Sequence, residues 1–293
     1  MLVAVTIVGL DAEAAAPRIG GAGAAIAGPA KETNQLGPNA IDLVFEAQAV
    51  APIHLAVKDA VGDAAIDVCV QPWVNRRKRL LIADMDSTII GCECLDELAD
   101  FAGVKAEVSA ITERAMRGEI GFEGALRERV GMLKGLPIAA LEQCYAERVR
   151  LNPGAETLVR TMAAHGARCV LVSGGFGFFT SRVAVAAGFH DQQANTLIEA
   201  DGMLTGQVGD PILGREAKLA ALQAECVSLG IGLDRALAIG DGANDLAMIT
   251  AAGLGVAYRA KPVVAAQADA RVDYTDLTSL LYFQGYRAAD FWA

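Results

Sequence analysis

Short apolar runs alternate along most of the chain with stretches in which apolar positions recur every third or fourth residue. The runs at 80–83, 169–172 and 236–239 have the length and β-branched content of buried strands. The segments 155–164, 179–187, 217–229 and 244–252 carry the helical period, and Val256 lies in a short final strand. Alternation over 196–200 and 203–207 around Asp201-Gly202 predicts a hairpin, and Ser173-Gly174-Gly175 a turn. Repeated strand–helix succession predicts an α/β fold with a mostly parallel, Rossmann-like sheet and helices on both faces. Between the strand at 80–83 and the helix at 155 only helical patterns occur, over 94–102, 106–117, 122–132 and 139–148, broken at 133–137 by LeuLysGlyLeuPro. They predict a small helical insertion at about 93–150 that interrupts the unit begun at Leu80.

Residues 1–74 read as a separate α/β unit, with strands expected over 3–8, 41–45, 53–57 and 65–70. Glycines and Pro29 blur the first helical segment. No compact polar constellation lies here, so support or regulation is expected rather than catalysis. Arg76-Arg77-Lys78-Arg79 then reads as a solvated boundary before the second unit, 75–293.

Composition changes this picture little. At 293 residues, 53% hydrophobic and 20% charged, the chain can bury a substantial core. A net charge of -10 disfavours nucleic acid and anionic membranes as partners. The six cysteines are not spaced as a secreted framework and read as reduced thiols. Three histidines without HExxH or CxxC argue against zinc. MLVAVTIVGL lacks a basic leader and reads as a strand, and no apolar stretch has the length of a membrane span, so a cytoplasmic location is expected.

The chemistry gathers where strands end. Asp84 and Asp86 follow the strand at 80–83, with Thr88 at the same spacing; Ser173 and Gly174 follow the next, and Asp241, Asn244 and Asp245 follow a third. Lys218 starts the helix between the last two. Taken singly, each has an ordinary reading: a helix cap, a turn residue, an exposed lysine. Together they fall at the carboxyl ends of parallel strands, where ligands of such sheets collect. Adjacent carboxylates invite a hard cation and divided roles as nucleophile and acid/base.

This set resembles the motifs of the haloacid-dehalogenase-like phosphatases: Asp84-Met85-Asp86-Ser87-Thr88, then Ser173, Lys218, and Asp241-Gly242-Ala243-Asn244-Asp245. The resemblance implies that Asp84 is the nucleophile and becomes an aspartyl phosphate, with Asp86 as acid and then base. It implies Mg2+ held by Asp84, Asp241 and the backbone oxygen of Asp86. Asp245 or Asn244 would orient metal-bound water or a substrate oxygen. Ser173, the Gly174 amide and Lys218 would hold the phosphoryl group. Asp86 favours phosphoryl transfer, because the dehalogenases of the superfamily lack this partner.

Residues 78–287 resemble more closely the phosphoserine phosphatase family, through Glu93, the stretch 116–130 with LeuLysGlyLeuPro after it, AlaAsn at 194–195 and LeuThrGly at 204–206. That resemblance implies O-phospho-L-serine as substrate and serine biosynthesis as setting, with Glu93, Met116, Phe122 and Arg129 lining a cavity under a helical cap. Glu93 would pair the ammonium and Arg129 the carboxylate, while Met116 and Phe122 exclude water. Arg127, on another helix face, reads as a surface residue. Residues 1–74 resemble the ACT-like regulatory domains of bacterial members, which implies an amino-acid effector and leaves homo-oligomerisation open. Phosphotransfer to another alcohol, hydrolysis of another small phosphomonoester, or a catalytically silent sensor are the competing functions.

Overall fold

The computed structural model of the chain describes residues 1–116 and 119–292, with the side chain of Met116 outside the described residues. It begins with β1 (Leu2–Val8), α1 (Ala12–Ala27), β2 (Glu32–Gly37), β3 (Ala40–Glu46), α2 (Val50–Val61) and β4 (Asp67–Pro72). These strands form an antiparallel sheet in the order β2-β3-β1-β4. Val3, Val5 and Ile7 point into a core shared with Ile19 of α1 and Ile53 and Val57 of α2. The other face joins the main core through Val8, Ala40 and Cys69. With both faces covered, β1 needs a nearly continuous apolar run, which LeuValAlaValThrIleVal supplies, its one polar member Thr6 donating to Asp42. Helix α1 lies close enough to β3 that a Cβ on Gly23 would stand 2.7 Å from the Phe45 ring, so only glycine permits this approach.

Two sequence expectations fail here. Residues 53–57 are helical: Ile53 and Val57 are buried one turn apart, a period of four rather than two. Strand β2 is additional. It is a polar edge strand with only Leu36 buried, so it carries no alternation to detect.

The second sheet follows, with β5 (Leu80–Ala83), then α3 (Cys94–Phe101), α4 (Lys105–Met116), α5 (Phe122–Gly131) and α6 (Ile138–Arg148) before α7 (Ala155–Ala164) and β6 (Arg168–Phe176). Next come α8 (Gly177–Ala187), β7 (Asp191–Asn195), the hairpin β8 (Leu197–Ala200) and β9 (Met203–Val208), α9 (Arg215–Leu229) and β10 (Ala236–Gly240). The chain closes with α10 (Leu246–Ala251), β11 (Leu254–Tyr258), α11 (Pro262–Ala265), β12 (Ala270–Val272) and α12 (Ser279–Phe283). The sheet is parallel, ordered β12-β11-β10-β5-β6-β7. Its side chains part by the period of two. Leu81, Ala83, Cys169, Leu171, Leu237 and Ile239 meet α7 and α8 on one face. Leu80, Ile82, Val170, Val172, Ala236 and Ala238 meet α9 and α10 on the other.

Strand β12 lies beyond the strand expected at Val256, and β7 is also additional. The expected turn at 173–175 is instead the irregular end of β6, where the register with β7 shifts between Val172 and Phe176. The four helices α3–α6 are tied to the hairpin as well as to the chain on either side. Gly135 N donates to Leu204 O (2.8 Å), Leu204 N to Leu136 O (2.9 Å) and Ile138 N to Gly202 O (3.0 Å).

The basic run at 76–79 is not a solvated boundary. Arg76 and Lys78 are 5% and 6% exposed, while Arg77 and Arg79 point out. The Arg76 guanidinium donates to both Asp42 carboxylate oxygens (2.9 and 2.8 Å) and to the Phe283 carbonyl. Lys78 Nζ donates to the Asp234 and Gly253 carbonyls. An extended segment puts alternate residues inside, and these partners satisfy the charges taken in.

Candidate active site

Strand β5 is central, with β6 on one side and β10 on the other, so the chain reverses its direction of travel across the sheet here and opens a crevice beyond the strand ends. Ala83 pairs in register with both Leu171 and Ile239. Asp84 therefore emerges level with the ends of both neighbours, and its N–H is held by Ile239 O at 3.0 Å. The next residues, Met85–Ile89, form a tight turn closed by Ile90 N on Met85 O, with Ser87 at φ 56°. That turn brings Asp86 back beside Asp84 and buries Thr88 completely.

Lys218, from α9, reaches the centre of the cluster. Its Nζ lies 2.5 Å from Asp84 Oδ1 and 2.5 Å from Asp245 Oδ1, and all three residues are buried. Burial opposes the ammonium charge, but the two carboxylates outweigh it and raise the lysine pKa. Burial first, and the Asp245 charge second, push the Asp84 carboxyl well above its ordinary range. Asp245 also accepts the Gly242 N–H at 3.0 Å. Asp241, at the end of β10, is pushed up to about 6 by burial and by Asp245. The buried Thr88 hydroxyl lies 3.5 Å from Asp241 Oδ1.

Asp86 is placed differently. Its Oδ1 accepts the Cys94 N–H at 3.0 Å, and its Oδ2 faces the Ser173 hydroxyl at 3.4 Å. Burial and the nearby Glu93 charge push this carboxyl up to about 6. An acid of that strength can hold a proton near neutral pH and surrender it within a reaction. Ser173 is 1% exposed and its oxygen accepts the Gly175 N–H at 2.8 Å. Asn244 is half-buried in the loop after β10, its amide folded back toward Gly242.

Asp84, Asp241 and Asp245 each bring a carboxylate oxygen to within 4.8 Å of the other two. Hard oxygen donors, converging on one point beside Lys218 and with Lys261 near Asp241, fit a hard divalent cation such as Mg2+. The sequence reading gave Asp245 an outer role, whereas its carboxylate is as close to this point as the others.

Helices α3–α5 bring further residues near. Glu93, exposed at the start of α3, accepts the Ser87 hydroxyl at 2.6 Å. Phe122 is 41% exposed, yet its ring reaches the strand-end loops: a Cβ placed on Gly174 would lie 3.5 Å from it, and one on Gly214 3.6 Å. Arg129 is half-buried, its Nε on the Ala125 carbonyl at 3.3 Å, and it makes no ion pair among the described residues. Burial lowers its pKa, opposed by the Asp96 and Glu93 charges nearby. Met116 ends α4, with its side chain outside the described residues. Arg127 instead pairs with exposed Asp210 at the surface.

Sequence reasoning assigned no role to three supports. Thr88 steadies Asp241; its spacing in the motif was visible, its contact was not. Asn152 Nδ2 holds the Thr88 carbonyl at 2.8 Å. Asn195 Nδ2 holds the Gly174 carbonyl at 2.8 Å, and its Oδ1 accepts the Leu213 N–H at 2.7 Å. A single amide that bridges two loops leaves no periodic signal in a sequence.

A family profile for haloacid dehalogenase-like hydrolases matches residues 81–250. A phosphoserine phosphatase of Polaromonas sp. is 48% identical over 208 residues, covering 69% of this chain and 88% of that protein. One of Archaeoglobus fulgidus is 44% identical over 217 residues, covering 73% of this chain but only 63% of that longer protein. Over 96% of the chain and 98% of its counterpart, the fold superposes on a crystal structure of a hydrolase of the same family from Salmonella enterica serovar Typhi, with a TM-score of 0.86 and 28% identity. No helix among the described residues is long and apolar enough to cross a membrane.

Proposed function

The chain belongs to the haloacid dehalogenase-like hydrolase family and is a phosphatase, and on that premise we propose that it hydrolyses O-phospho-L-serine to L-serine and inorganic phosphate through an aspartyl phosphate on Asp84. The observation that carries the reading is the pairing of a buried and a half-buried carboxyl in unlike settings. Asp84 is held by Lys218 at 2.5 Å, and Asp86 by a backbone N–H and a hydroxyl. Unlike settings separate the nucleophile from the acid.

A carboxylate oxygen of Asp84 attacks phosphorus in line, forming the Asp84 O–P bond as the P–O bond to the serine oxygen breaks. Asp86, protonated, delivers its proton to that leaving oxygen. In the second half Asp86 takes a proton from water, whose oxygen displaces Asp84 from phosphorus. Lys218, Ser173 and the Gly174 amide hold the phosphoryl oxygens and place them for both displacements. Asp84, Asp241 and the backbone oxygen of Asp86, with Asp245 and Asn244 beside them, would hold Mg2+. When bound, the ion supplies charge neutralisation for the phosphate oxygens.

Substrate choice rests on the helical cap, about 93–150. Arg129, partly desolvated and without a carboxylate partner among the described residues, suits the substrate carboxylate; Glu93 suits its ammonium; Phe122 and Met116 would shield the short carbon chain. The N-terminal unit, 1–74, has the βαββαβ order and antiparallel sheet that support an ACT-like architecture, with an amino-acid effector as the role it suggests. Intact Asp86 weighs against a silent sensor.

The test is phosphate release from a panel of small phosphomonoesters, with and without magnesium. Phosphoserine should be turned over fastest, and only with the ion. A faster ester without carboxylate and ammonium would replace the substrate assignment. Added alcohols that yield new phosphorylated products would replace hydrolysis with transfer.

A further inference from the structure

At the opposite ends of the central strands from the catalytic residues, a cavity of about 370 Å³ opens where the N-terminal unit meets the core. Arg76, Arg77 and Arg235 line it, with Trp73, Asn75 and Gln284. Three guanidinium groups and no carboxylate line one pocket, in a chain whose net charge is -10. Their compensation is unequal. Arg76 is matched by Asp42 at 2.8 Å. Arg235 has for side-chain partner only the neutral amide of Asn75, at 2.8 Å, and its Nε is buried without any partner. Arg77 makes a loose ion pair with Asp290 at 3.6 Å, its side chain 53% exposed and its guanidinium 4.3 Å from the Tyr286 ring centroid. Arg235 thus lacks a bonded anion among the described residues, and Arg77 meets its anion only loosely at the surface.

The walls are built rather than incidental. The Trp73 backbone is fixed by its main-chain N–H on the Leu2 carbonyl at 2.9 Å, and the Arg76 guanidinium lies 4.8 Å from the indole ring centroid. Asn75 is held at φ 62° and clasped from both ends, by Arg235 and by Asp234. Gly285, at φ 77°, leaves room for Arg76, since a Cβ there would meet its guanidinium carbon at 2.9 Å. Guanidinium groups set beside an indole and amides recognise an oxyanion on a small organic frame.

We propose that this pocket at the seam of the two units binds a small metabolite carrying a carboxylate or phosphate group, recognised by Arg235 and Arg77 against Trp73. The ligand bridges the segment leaving β4 to the turn entering β10, and so fastens the N-terminal unit to the core.

Trp73 and Trp292 are the only tryptophans, so Trp292→Phe leaves Trp73 as a fluorescent reporter on the pocket wall. Magnesium-free protein is titrated with succinate and with inorganic phosphate, each against sodium chloride at equal ionic strength. At least one should give a saturable change in Trp73 emission that sodium chloride does not. Response to succinate alone assigns a carboxylate, to phosphate alone a phosphate ester, and to both the shared oxyanion chemistry. Half-saturation should weaken at least about tenfold in Arg235→Gln or Arg77→Gln, the second of which gives up only a half-exposed ion pair and a stacking contact on Tyr286. The proposal is overturned by the absence of a saturable response to either anion. It is equally overturned by a response that survives in both variants unchanged, which would place phosphate or succinate elsewhere.

Discussion

Two of the places where the molecule buries ionic groups are built on opposite terms. At the seam, Arg76 and Asp42 meet charge for charge, and the Phe283 carbonyl and Thr6 hydroxyl take up the remaining donors. At the strand ends, Asp84, Asp86, Asp241 and Asp245 share one buried lysine. The first arrangement is complete as it stands and needs nothing from solution. The second carries an excess of negative charge that raises Asp84, Asp86 and Asp241 above the ordinary carboxylate range. Breaking a complete pair removes stability. Breaking an incomplete one relieves repulsion and removes function.

The sharpest way to test that contrast is Asp84→Asn. An amide is a poor nucleophile, so kcat should fall at least about 10³-fold, some 4 kcal/mol in the barrier. The fold should persist, because Lys218 keeps Asp245, and urea denaturation should show stability equal to or above the parent. Near-parental turnover, once deamidation is excluded by mass, would remove Asp84 as nucleophile.

Asp42→Ala should give the reverse profile. It leaves a buried guanidinium unpaired, which costs about 3–5 kcal/mol of unfolding free energy. Turnover per folded molecule should stay unchanged, because the seam lies at the amino ends of the strands, away from the catalytic ends. Replacing both partners, as Asp42→Leu with Arg76→Met, should recover about half or more of the loss. A double variant as unstable as the single one would mean that the carbonyl and hydroxyl contacts of Arg76, rather than its charge match, hold the seam.

The two regions also differed in how far the sequence disclosed them. The strand-end residues were legible because chemistry there follows the strand: an apolar run and then a polar residue, three times over, at Asp84, Ser173 and Asp241. The helices after β5 were legible for a related reason, since each buries one stripe, as Leu98 of α3 and Leu126 and Val130 of α5 do. The seam gave no such sign. ArgArgLysArg reads as a solvated run until the extended backbone puts Arg76 and Lys78 inside. Their partners, Asp42, Asp234 and Gly253, are distant in sequence, and two of the three act through carbonyls that any residue possesses. Helix α2 was misread because Ile53-His54-Leu55-Ala56-Val57 is also a plausible strand pentamer. Only the exposure of Leu55, at 63%, against buried Ile53 and Val57 decides for the helical period.

Acid and metal sharpen the contrast further. Asp86 and Asp241 stand at about 6 in the folded chain, against about 3.9 for a free aspartate. The folded state therefore binds these protons more tightly than the unfolded state does. The stability they contribute is full below about pH 4 and is lost as pH rises through about 6. Magnesium needs the ionised carboxylates, so its stabilisation should appear as theirs disappears. At a hundredfold excess over its dissociation constant it is worth about 2.7 kcal/mol. Thermal unfolding measured from pH 5 to pH 8 should show the curves with and without magnesium diverging above about pH 6, while Asp42→Ala shifts both curves alike. Parallel curves across the whole range would separate the ion site from these two carboxyls.

The smallest expected effect comes from two arginines of α5 that lie two positions apart and meet different surroundings. Arg127 pairs with Asp210 in solvent, with side chains 46% and 73% exposed. Such a pair is worth about 0–1 kcal/mol, so Arg127→Ala should leave both stability and kcat/KM nearly untouched. Arg129 is half-buried, partly desolvated and without a carboxylate partner among the described residues. Arg129→Ala should lower kcat/KM for phosphoserine at least about tenfold, or about 1.4 kcal/mol, by leaving the substrate carboxylate unpaired. Phosphoethanolamine has no carboxylate, so its kcat/KM should change far less. Measuring both esters in both variants separates recognition from support. Equal losses for the two esters in Arg129→Ala would assign the residue to holding the helices over the site. No loss for phosphoserine would remove it from the site and leave Glu93 and Phe122 to explain any preference for that ester.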